Sequence, residues 1–347
     1  MQMDGQLLAR TDLSRGSRCA PGDLDIRGLS PKTDNRTGTM QVYKAPIQDM
    51  MFCLETMGYD RVRTIDRYEP FDIETIRALS EEAGKMCTEQ LLPLNRPGDE
   101  QGVSFDPATG AVTTPEGFDR AYKMLLESGM MGIAHDEAYG GGGAPNVMHT
   151  ILNEMVTATN KSFSMCPGLS HGLIEALHHY GDKEIKDRYL AKLISGEWTG
   201  TMCLTEPQCG TDLGLMRSKA TPHEDHYLVS GTKIWISFGE HDLAENIIHL
   251  VLARLPDAPK GIKGISAFIV PKFNPDGSRN GIMCTGLEHK MGIHASPTCV
   301  MSMENARAWL VGEPHRGMRT MFVMMNSARL GVGLEGVALG EIAYQTA

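Results

Sequence analysis

The chain has 347 residues, with 33 basic and 43 acidic side chains and a formal net charge of −10. This acidic balance excludes a broad phosphate-binding face, so no nucleic-acid partner is expected. Hydrophobic residues make up 41% and charged residues 22% of the sequence, which is typical of a globular protein with a full core.

The chain contains no apolar run near the roughly 18 residues that a membrane span needs. Its eight cysteines form no CxxC pair and no metal-type spacing with histidine. This pattern predicts reduced, mostly buried thiols, no metal site, no membrane span and a cytoplasmic location.

The first 39 residues are rich in Gly, Ser, Thr, Asp and Arg and include no aromatic residue. No apolar period runs through them. They predict a disordered tail, or an extension translated from the wrong start codon.

Helical periodicity follows over residues 40–198. Ile73, Ile76 and Leu79 recur at intervals of three, as on one face of a helix. Asp72 and Asp182 stand where N-caps are expected, and Gly196 stands where a helix should end. We therefore predict an N-terminal all-helical domain over 40–198.

Residues 199–312 change to a period of two with β-branched and aromatic enrichment. The predicted strands are TGTMCLT, HYLVSG, TKIWIS, NIIHLVLAR, ISAFIVP, IMCTGLE and TCVMSME, with a turn at Ser230–Gly231. They predict a middle antiparallel β-barrel or sandwich. Helical periodicity returns over 313–347 and stops in mid-pattern, which predicts the first helix of a truncated C-terminal helical domain.

The segment CLTEPQCGTD, residues 203–212, places many polar side chains directly behind an apolar strand. It predicts a bound group. The alternative is a strand followed by an Asp-capped turn, in which Glu206 and Asp212 pair with a nearby arginine. For Trp235, in the later segment KIWIS, the alternative interpretation is that its side chain simply fills the core.

Four segments in this order resemble the acyl-CoA dehydrogenase family: CLTEPQCGTD, KIWIS at 233–237, the YGGGG loop at 139–143 and the helix pair YGDKEIKDRYLAKLISGEW. The resemblance runs from Tyr43 to the last residue. YKAPIQDMMF and SFGEHDLAENIIHLVLARL look like its long branch, the enzymes related to 3-methylmercaptopropionyl-CoA dehydrogenase. The implied fold is a multi-domain α+β architecture.

The resemblance also implies the chemistry. Family members remove the α-proton of an acyl-CoA while the β-hydrogen leaves as hydride to N5 of FAD. The implied substrate is a short or medium acyl-CoA, with 3-methylmercaptopropionyl-CoA as one candidate. The backbone of Met202, Leu204 and Thr205 would bind the flavin pyrimidine edge, and Thr211 would bind the pyrophosphate. Trp235 would pack against the isoalloxazine, and Ser237 would lie near N5. The cofactor-binding residues so implied are Met202, Leu204, Thr205, Gly210, Thr211, Trp235 and Ser237.

No residue is assigned as the catalytic base. Relatives place the catalytic base at one of two positions. One of them matches Ala328, directly before Arg329, and the other lies beyond Ala347. We therefore expect this chain alone to be unable to dehydrogenate. Arg329 would bind part of the CoA or pair with an acidic neighbour, and these readings stay open.

The resemblance implies an acyl-CoA substrate, an electron-transfer flavoprotein as acceptor and a homo-oligomer. Two alternatives remain: an acyl-CoA oxidase, in which O2 reaches the reduced flavin, and a non-catalytic relative that binds flavin or CoA. His171, His178 and His179 lie on or near a helix, and His178 and His179 face different ways, so they predict no metal site.

Overall fold

A computed structural model describes residues 41–347, so the expectation for residues 1–39 lies outside the described part of the chain. Its first half is mainly helical. The helices are α1 (Ile47–Thr56), α2 (Ile73–Met86), α3 (Leu92–Gln101), α4 (Phe118–Glu127), α5 (Asn146–Thr159), α6 (Lys161–Tyr180) and α7 (Lys183–Ser195). A π-helical turn, Cys87–Leu91, joins α2 to α3.

The predicted helix ends are confirmed. Asp72 Oδ1 accepts a hydrogen bond of 2.7 Å from the Thr75 amide, and Asp182 Oδ1 accepts one of 2.8 Å from the Ile185 amide. Each aspartate thus satisfies an amide that the first helical turn leaves without a partner. Gly196 ends α7 with a φ of 80°, a conformation that glycine adopts without strain.

The helical region also contains a short hairpin that periodicity does not predict. It consists of β1 (Ser104–Asp106) and β2 (Ala111–Thr113), which pair antiparallel. Strands of three residues are too short to show an alternating pattern. Val112 of β2 is buried and packs with the core of the β-sheet region, so the hairpin joins the helices to the sheet.

The middle region is a sheet of β3 (Trp198–Cys203), β4 (Lys219–His223), β5 (His226–Ser237), β6 (Asn246–Arg254), β7 (Ile265–Pro271), β8 (Ile282–Leu287) and β9 (Thr298–Val311). Pairings β4–β5, β5–β9, β9–β7, β7–β6 and β6–β4 close a ring. The sheet is mixed, since β3 and β4 pair with β6 in parallel. The middle β-domain is as predicted, and most of its pairings are antiparallel, but the pairings of β3 and β4 with β6 depart from the predicted antiparallel arrangement.

The predicted turn at Ser230–Gly231 was also wrong. Residues 226–237 form one strand, and the register against β9 shifts between Val229 and Gly231. Such a bulge uses the same residue types as a turn, because both need unusual backbone angles. Strand β4, with the sequence KATPH, was missed since it has little apolar alternation.

Gly231 provides a test of this bulge. Its φ is 150°, and an added Cβ would lie 2.2 Å from Ser218 Oγ. We expect Gly231→Ala to lower the free energy of unfolding by about 1–3 kcal/mol, because the strand must shift to admit the methyl group. Gly286→Ala is the control, since its nearest neighbour atom would lie 3.8 Å away. Equal urea midpoints for both variants would contradict this account.

The last helix, α8 (Gly317–Thr346), packs against α5 and α6. It buries Met321, Met324, Ala338 and Ile342. Within residues 41–347, no helix combines the length and apolarity needed to cross a bilayer. Of the described cysteines, all but Cys53 are buried free thiols, as predicted.

Candidate functional site

The loop after β3 is a compact turn. Glu206 and Cys209 exchange backbone hydrogen bonds of 3.0 and 2.9 Å, which leaves Pro207 and Gln208 at its tip. Asp212 Oδ1 accepts a hydrogen bond of 2.9 Å from the Gly214 amide and so fixes the end of the loop. The polar residues of CLTEPQCGTD therefore first serve to hold the backbone in a defined shape.

A buried ion pair joins the two motifs that stood out in the sequence. Lys233 Nζ lies 2.8 Å from Glu206 Oε1 and donates a second hydrogen bond of 3.2 Å to the Leu204 carbonyl. The Lys233 side chain is fully buried. The predicted alternative of a nearby arginine was therefore wrong for Glu206, because its partner is the lysine of KIWIS.

Glu206 is stabilised as a carboxylate. Burial alone would raise the pKa of Glu206, but the Lys233 ammonium and several donors outweigh burial and lower this pKa to about 2. The other donors are the amides of Arg217 at 2.7 Å and Ser218 at 3.1 Å, and Gln208 Nε2 at 2.6 Å. A fully satisfied buried carboxylate of this kind fixes the loop against the sheet.

We call the buried Glu206–Lys233 ion pair the clamp. Trp235 follows the clamp on β5 in an unusual backbone conformation. The Ile234 amide donates a hydrogen bond of 2.9 Å to the Thr205 carbonyl, and the next residue lies in a register shift of the strand. Trp235 has a φ of 64° and its side chain is 53% exposed. The alternative that Trp235 fills the core was wrong. A strained, exposed aromatic residue is typical of a ligand-contacting position.

The predicted cofactor-binding residues share one property: each keeps a solvent-accessible surface. Gly210, Thr211 and Trp235 are exposed, whereas Met202, Leu204, Thr205 and Ser237 are half-buried. Hydrogen bonds bring 204–206 beside 233–234. Within residues 41–347, no hydrogen bond ties Gly210 or Thr211 to this group, so the structure brings together only part of the predicted set.

An apolar cavity of about 130 Å³ lies between α5, α6 and α8. Met202, at the end of β3, forms part of its wall, and Ala328 lies on the α8 side. The other lining residues are His149, Asn153, Ser164, Met165, Gly168, Leu169, His171, Gly172, Met324, Ser327, Gly331, Val332 and Glu335. Ligand sites are typically lined by apolar side chains with a few polar groups among them.

Arg329 lies beside the cavity wall but does not line it. Its guanidinium donates a hydrogen bond of 3.1 Å to Asn326 Oδ1 and lies 5.5 Å from the Phe322 ring centroid. Among residues 41–347 it forms no ion pair with a carboxylate. The reading in which Arg329 pairs with an acidic neighbour therefore finds no support in the described chain.

The sequence assigned no role in this cavity to the ionisable residues that line it. Glu335 lies on α8 and pairs with Lys161 Nζ at 2.7 Å, which commits its carboxylate to a partner. His149 and His171 enter from α5 and α6. The signal was weak, because histidines on apolar helix faces are usually satisfied within the core.

Two family models match the chain. The acyl-CoA dehydrogenase N-terminal domain matches residues 73–197, and the middle domain matches residues 201–306. A 3-methylmercaptopropionyl-CoA dehydrogenase from Ruegeria pomeroyi is 46% identical over 312 residues, covering 88% of this chain and 53% of that protein. The chain thus spans about half the length of the curated relatives it matches.

Solved structures share the fold. Butyryl-CoA dehydrogenase from Megasphaera elsdenii has a TM-score of 0.65 and 25% identity, over 77% of this chain and 66% of that chain. An acyl-CoA dehydrogenase complexed with FAD from Bacillus anthracis has a TM-score of 0.63 and 26% identity, over 79% and 44% of the respective chains. The chain belongs to the acyl-CoA dehydrogenase family, whose members are oxidoreductases acting on CH–CH groups.

Proposed function

We propose that this chain forms the FAD- and acyl-binding part of an enzyme that dehydrogenates short or medium acyl-CoA thioesters. The observation that carries the proposal is the position of the apolar cavity, whose wall includes Met202, one of the implied flavin contacts, and Ala328. A cofactor edge and an acyl pocket that share a wall residue would place the two reactants side by side. Such positioning is a large part of catalysis.

The residues present fit a flavin. The hydroxyls of Thr205, Thr211 and Ser237 make no hydrogen bond within residues 41–347 and belong to solvent-accessible side chains. They could therefore donate to the cofactor's pyrophosphate and ring edges. Trp235 presents an exposed indole for packing against a ring. The relative from Bacillus anthracis was solved with FAD, which also supports this cofactor.

When bound, FAD would accept the β-hydrogen of the acyl group as a hydride. This chain's own residues would shape the pocket, exclude water and hold the thioester. The only carboxylate among the cavity-lining residues of the described chain is Glu335, and Lys161 already holds it. We therefore propose that the 347-residue chain binds both ligands but removes the α-proton very slowly.

Butyryl-CoA and 3-methylmercaptopropionyl-CoA are the proposed test substrates, on the strength of the relatives' names. An electron-transfer flavoprotein as acceptor, self-association and a cytoplasmic location likewise stay proposals carried by the family resemblance.

Ala328→Glu tests the pocket directly. It places a carboxylate on the cavity wall. We therefore expect anaerobic bleaching of the flavin band at ~450 nm by butyryl-CoA to become roughly 100-fold faster than in the parent chain, as general-base catalysis allows. The readout is absorbance after anaerobic mixing of the FAD-loaded chain.

Ala343→Glu is the matched control, because Ala343 is an exposed alanine of the same helix away from the cavity. Equal bleaching by both variants would contradict the acyl assignment of the cavity. A parent chain that binds no FAD, judged by flavin fluorescence quenching, would refute the cofactor assignment.

A further inference from the structure

Arg254, the last residue of β6, joins two loops at one edge of the sheet. Strands β3 and β6 pair in parallel, so the chain leaves both strands at the same edge. The loop after β3, residues 204–218, therefore starts on the same side as the loop after β6, residues 255–264. We call these the β3–β4 loop and the β6–β7 loop. The Ser218 carbonyl, at the end of the first loop, accepts a hydrogen bond of 2.9 Å from the Arg254 amide.

The half-buried guanidinium of Arg254 bonds backbone carbonyls in both loops. In the β3–β4 loop it donates to Gly214 at 2.9 Å and to Met216 at 2.9 Å. In the β6–β7 loop it donates to Gly261 at 2.8 Å and to Pro259 at 3.2 Å. These bonds use all three guanidinium nitrogens, and arginine is the side chain that carries its donors in such a planar fork.

Glycines let the two loops approach this closely. A Cβ added to Gly214 would lie 3.6 Å from the Cα of Gly261. A Cβ added to Gly264 would lie 1.9 Å from the Pro259 carbonyl oxygen and 2.8 Å from Arg254 Nη1. The guanidinium thus occupies a space that a larger residue at these positions would close.

The exposed part of the β3–β4 loop is fixed from both sides. On one side Cys209 exchanges backbone hydrogen bonds with Glu206, and on the other side Arg254 holds two carbonyls. Gly210 and Thr211 lie between these ties and are exposed. Within the described chain neither of them takes part in a hydrogen bond, so their position depends on the residues that hold the loop around them.

The charge of Arg254 has no counter-charge close by. All four of its side-chain acceptors are neutral carbonyls, and it forms no salt bridge with any carboxylate of residues 41–347. A guanidinium keeps its proton in proteins. The β3–β4 loop is therefore bonded to a fixed positive charge, beginning three residues after Thr211, and such a charge favours an anionic ligand at that loop.

We propose that Arg254 is a positioning residue for the pyrophosphate of FAD. It fixes the loop that carries Thr211, and its charge attracts the negative charges of the pyrophosphate. The assignment rests on the proposed function, because the pyrophosphate is the group that Thr211 would bind. Arg254 acts through the loop and not on the flavin ring, so its removal should affect FAD more than a flavin that lacks phosphate.

The first test needs no flavin. Arg254→Met removes the fork and the charge but keeps much of the side-chain volume. We expect amide exchange with D2O, followed by mass spectrometry, to become roughly tenfold faster or more in both loops, since their backbone hydrogen bonds would open more often. Equal exchange in the parent chain and in Arg254→Met would overturn the positioning role.

Arg307→Met is the control for this experiment. Arg307 is an arginine of β9 whose side chain is 45% exposed and pairs with Asp276 at 3.0 Å. It bonds neither loop through its side chain, so its removal should leave exchange in both loops and the affinity for FAD unchanged.

The second test compares FAD with riboflavin, which has the same ring but neither pyrophosphate nor adenosine. We expect Arg254→Met to weaken FAD binding roughly tenfold or more and riboflavin binding less than about twofold, because the lost charge acts on the pyrophosphate alone. Titration of flavin fluorescence gives both affinities. Added salt should weaken FAD binding more in the parent chain than in Arg254→Met, because salt screens the charge that only the parent carries.

Arg254→Lys separates the charge from the fork. A lysine ammonium keeps the charge but cannot reproduce the planar fork, so this variant should retain the salt dependence while both loops exchange rapidly. Unchanged FAD affinity in Arg254→Met, or equal losses for FAD and riboflavin, would overturn the pyrophosphate assignment and leave the proposed function standing. A parent chain that binds neither flavin would refute both.

Discussion

Replacing Lys233 by methionine is expected to lower the free energy of unfolding by about 3–5 kcal/mol, the usual cost of removing one partner of a buried ion pair. Lys233 is fully buried and lies 2.8 Å from Glu206. Methionine keeps most of the side-chain volume but leaves the carboxylate inside the protein without its counter-charge. Urea unfolding followed by circular dichroism gives the value.

The control for this variant is Lys183→Met. Lys183 pairs with Asp187 one turn along α7, but its side chain is 88% exposed, so we expect no measurable loss of stability, because solvent screens such a pair. Combining Lys233→Met with Glu206→Gln should recover part of the loss, since the charge left behind is removed. A loss below about 1 kcal/mol for Lys233→Met alone would show that the clamp contributes little.

Acid should weaken the same clamp. The pKa of Glu206 is about 2, against an ordinary value of 4.5. A carboxyl whose pKa falls on folding stabilises the folded state above its unfolded pKa and loses that contribution as the pH falls through both values. The parent chain should therefore lose stability between about pH 4.5 and 2, and Lys233→Met should lose less over the same range.

Trp235→Gly is expected to separate ligand binding from stability. Glycine adopts the φ of 64° without strain, whereas a left-handed non-glycine residue costs on the order of 1–3 kcal/mol. The ligand-free chain should thus be as stable as the parent or slightly more so. FAD affinity should fall about tenfold or more, which corresponds to at least about 1.4 kcal/mol of lost ring packing.

Trp198→Gly is the contrasting control for this experiment. Trp198 is half-buried and packs against Tyr189, with ring centroids 6.0 Å apart, so its removal should destabilise the chain by on the order of 3 kcal/mol. Thermal unfolding and titration of flavin fluorescence give both quantities for each variant. If Trp235→Gly destabilised the chain as much as Trp198→Gly does, Trp235 would be a structural residue.

The sequence alone predicted those features that local physics decides. Helix caps depend on residues three apart, so Asp72 and Asp182 could be assigned without tertiary information. The change from a period of about 3.6 to a period of two marked the passage from helices to strands. Four segments, among them CLTEPQCGTD and KIWIS, carried the family resemblance because their residue types are specific.

Only the tertiary structure decided what those motifs do to each other. The turn expected at Ser230–Gly231 is a bulge, and this bulged strand carries Lys233 under the loop that holds Glu206. Parallel pairing of β3 with β6 likewise comes from long-range register, which no local pattern encodes.

The contacts among His135, His171 and Glu175 show the same limit. Residues 135, 171 and 175 lie on a connecting segment and on α6, and their spacing alone suggested no shared role. Packing of the segment onto the helix brings their ring nitrogens and carboxylate within hydrogen-bonding reach. The sequence thus determined the elements and the family, whereas contacts between distant residues decided the clamp, the exposed strained tryptophan and the cavity.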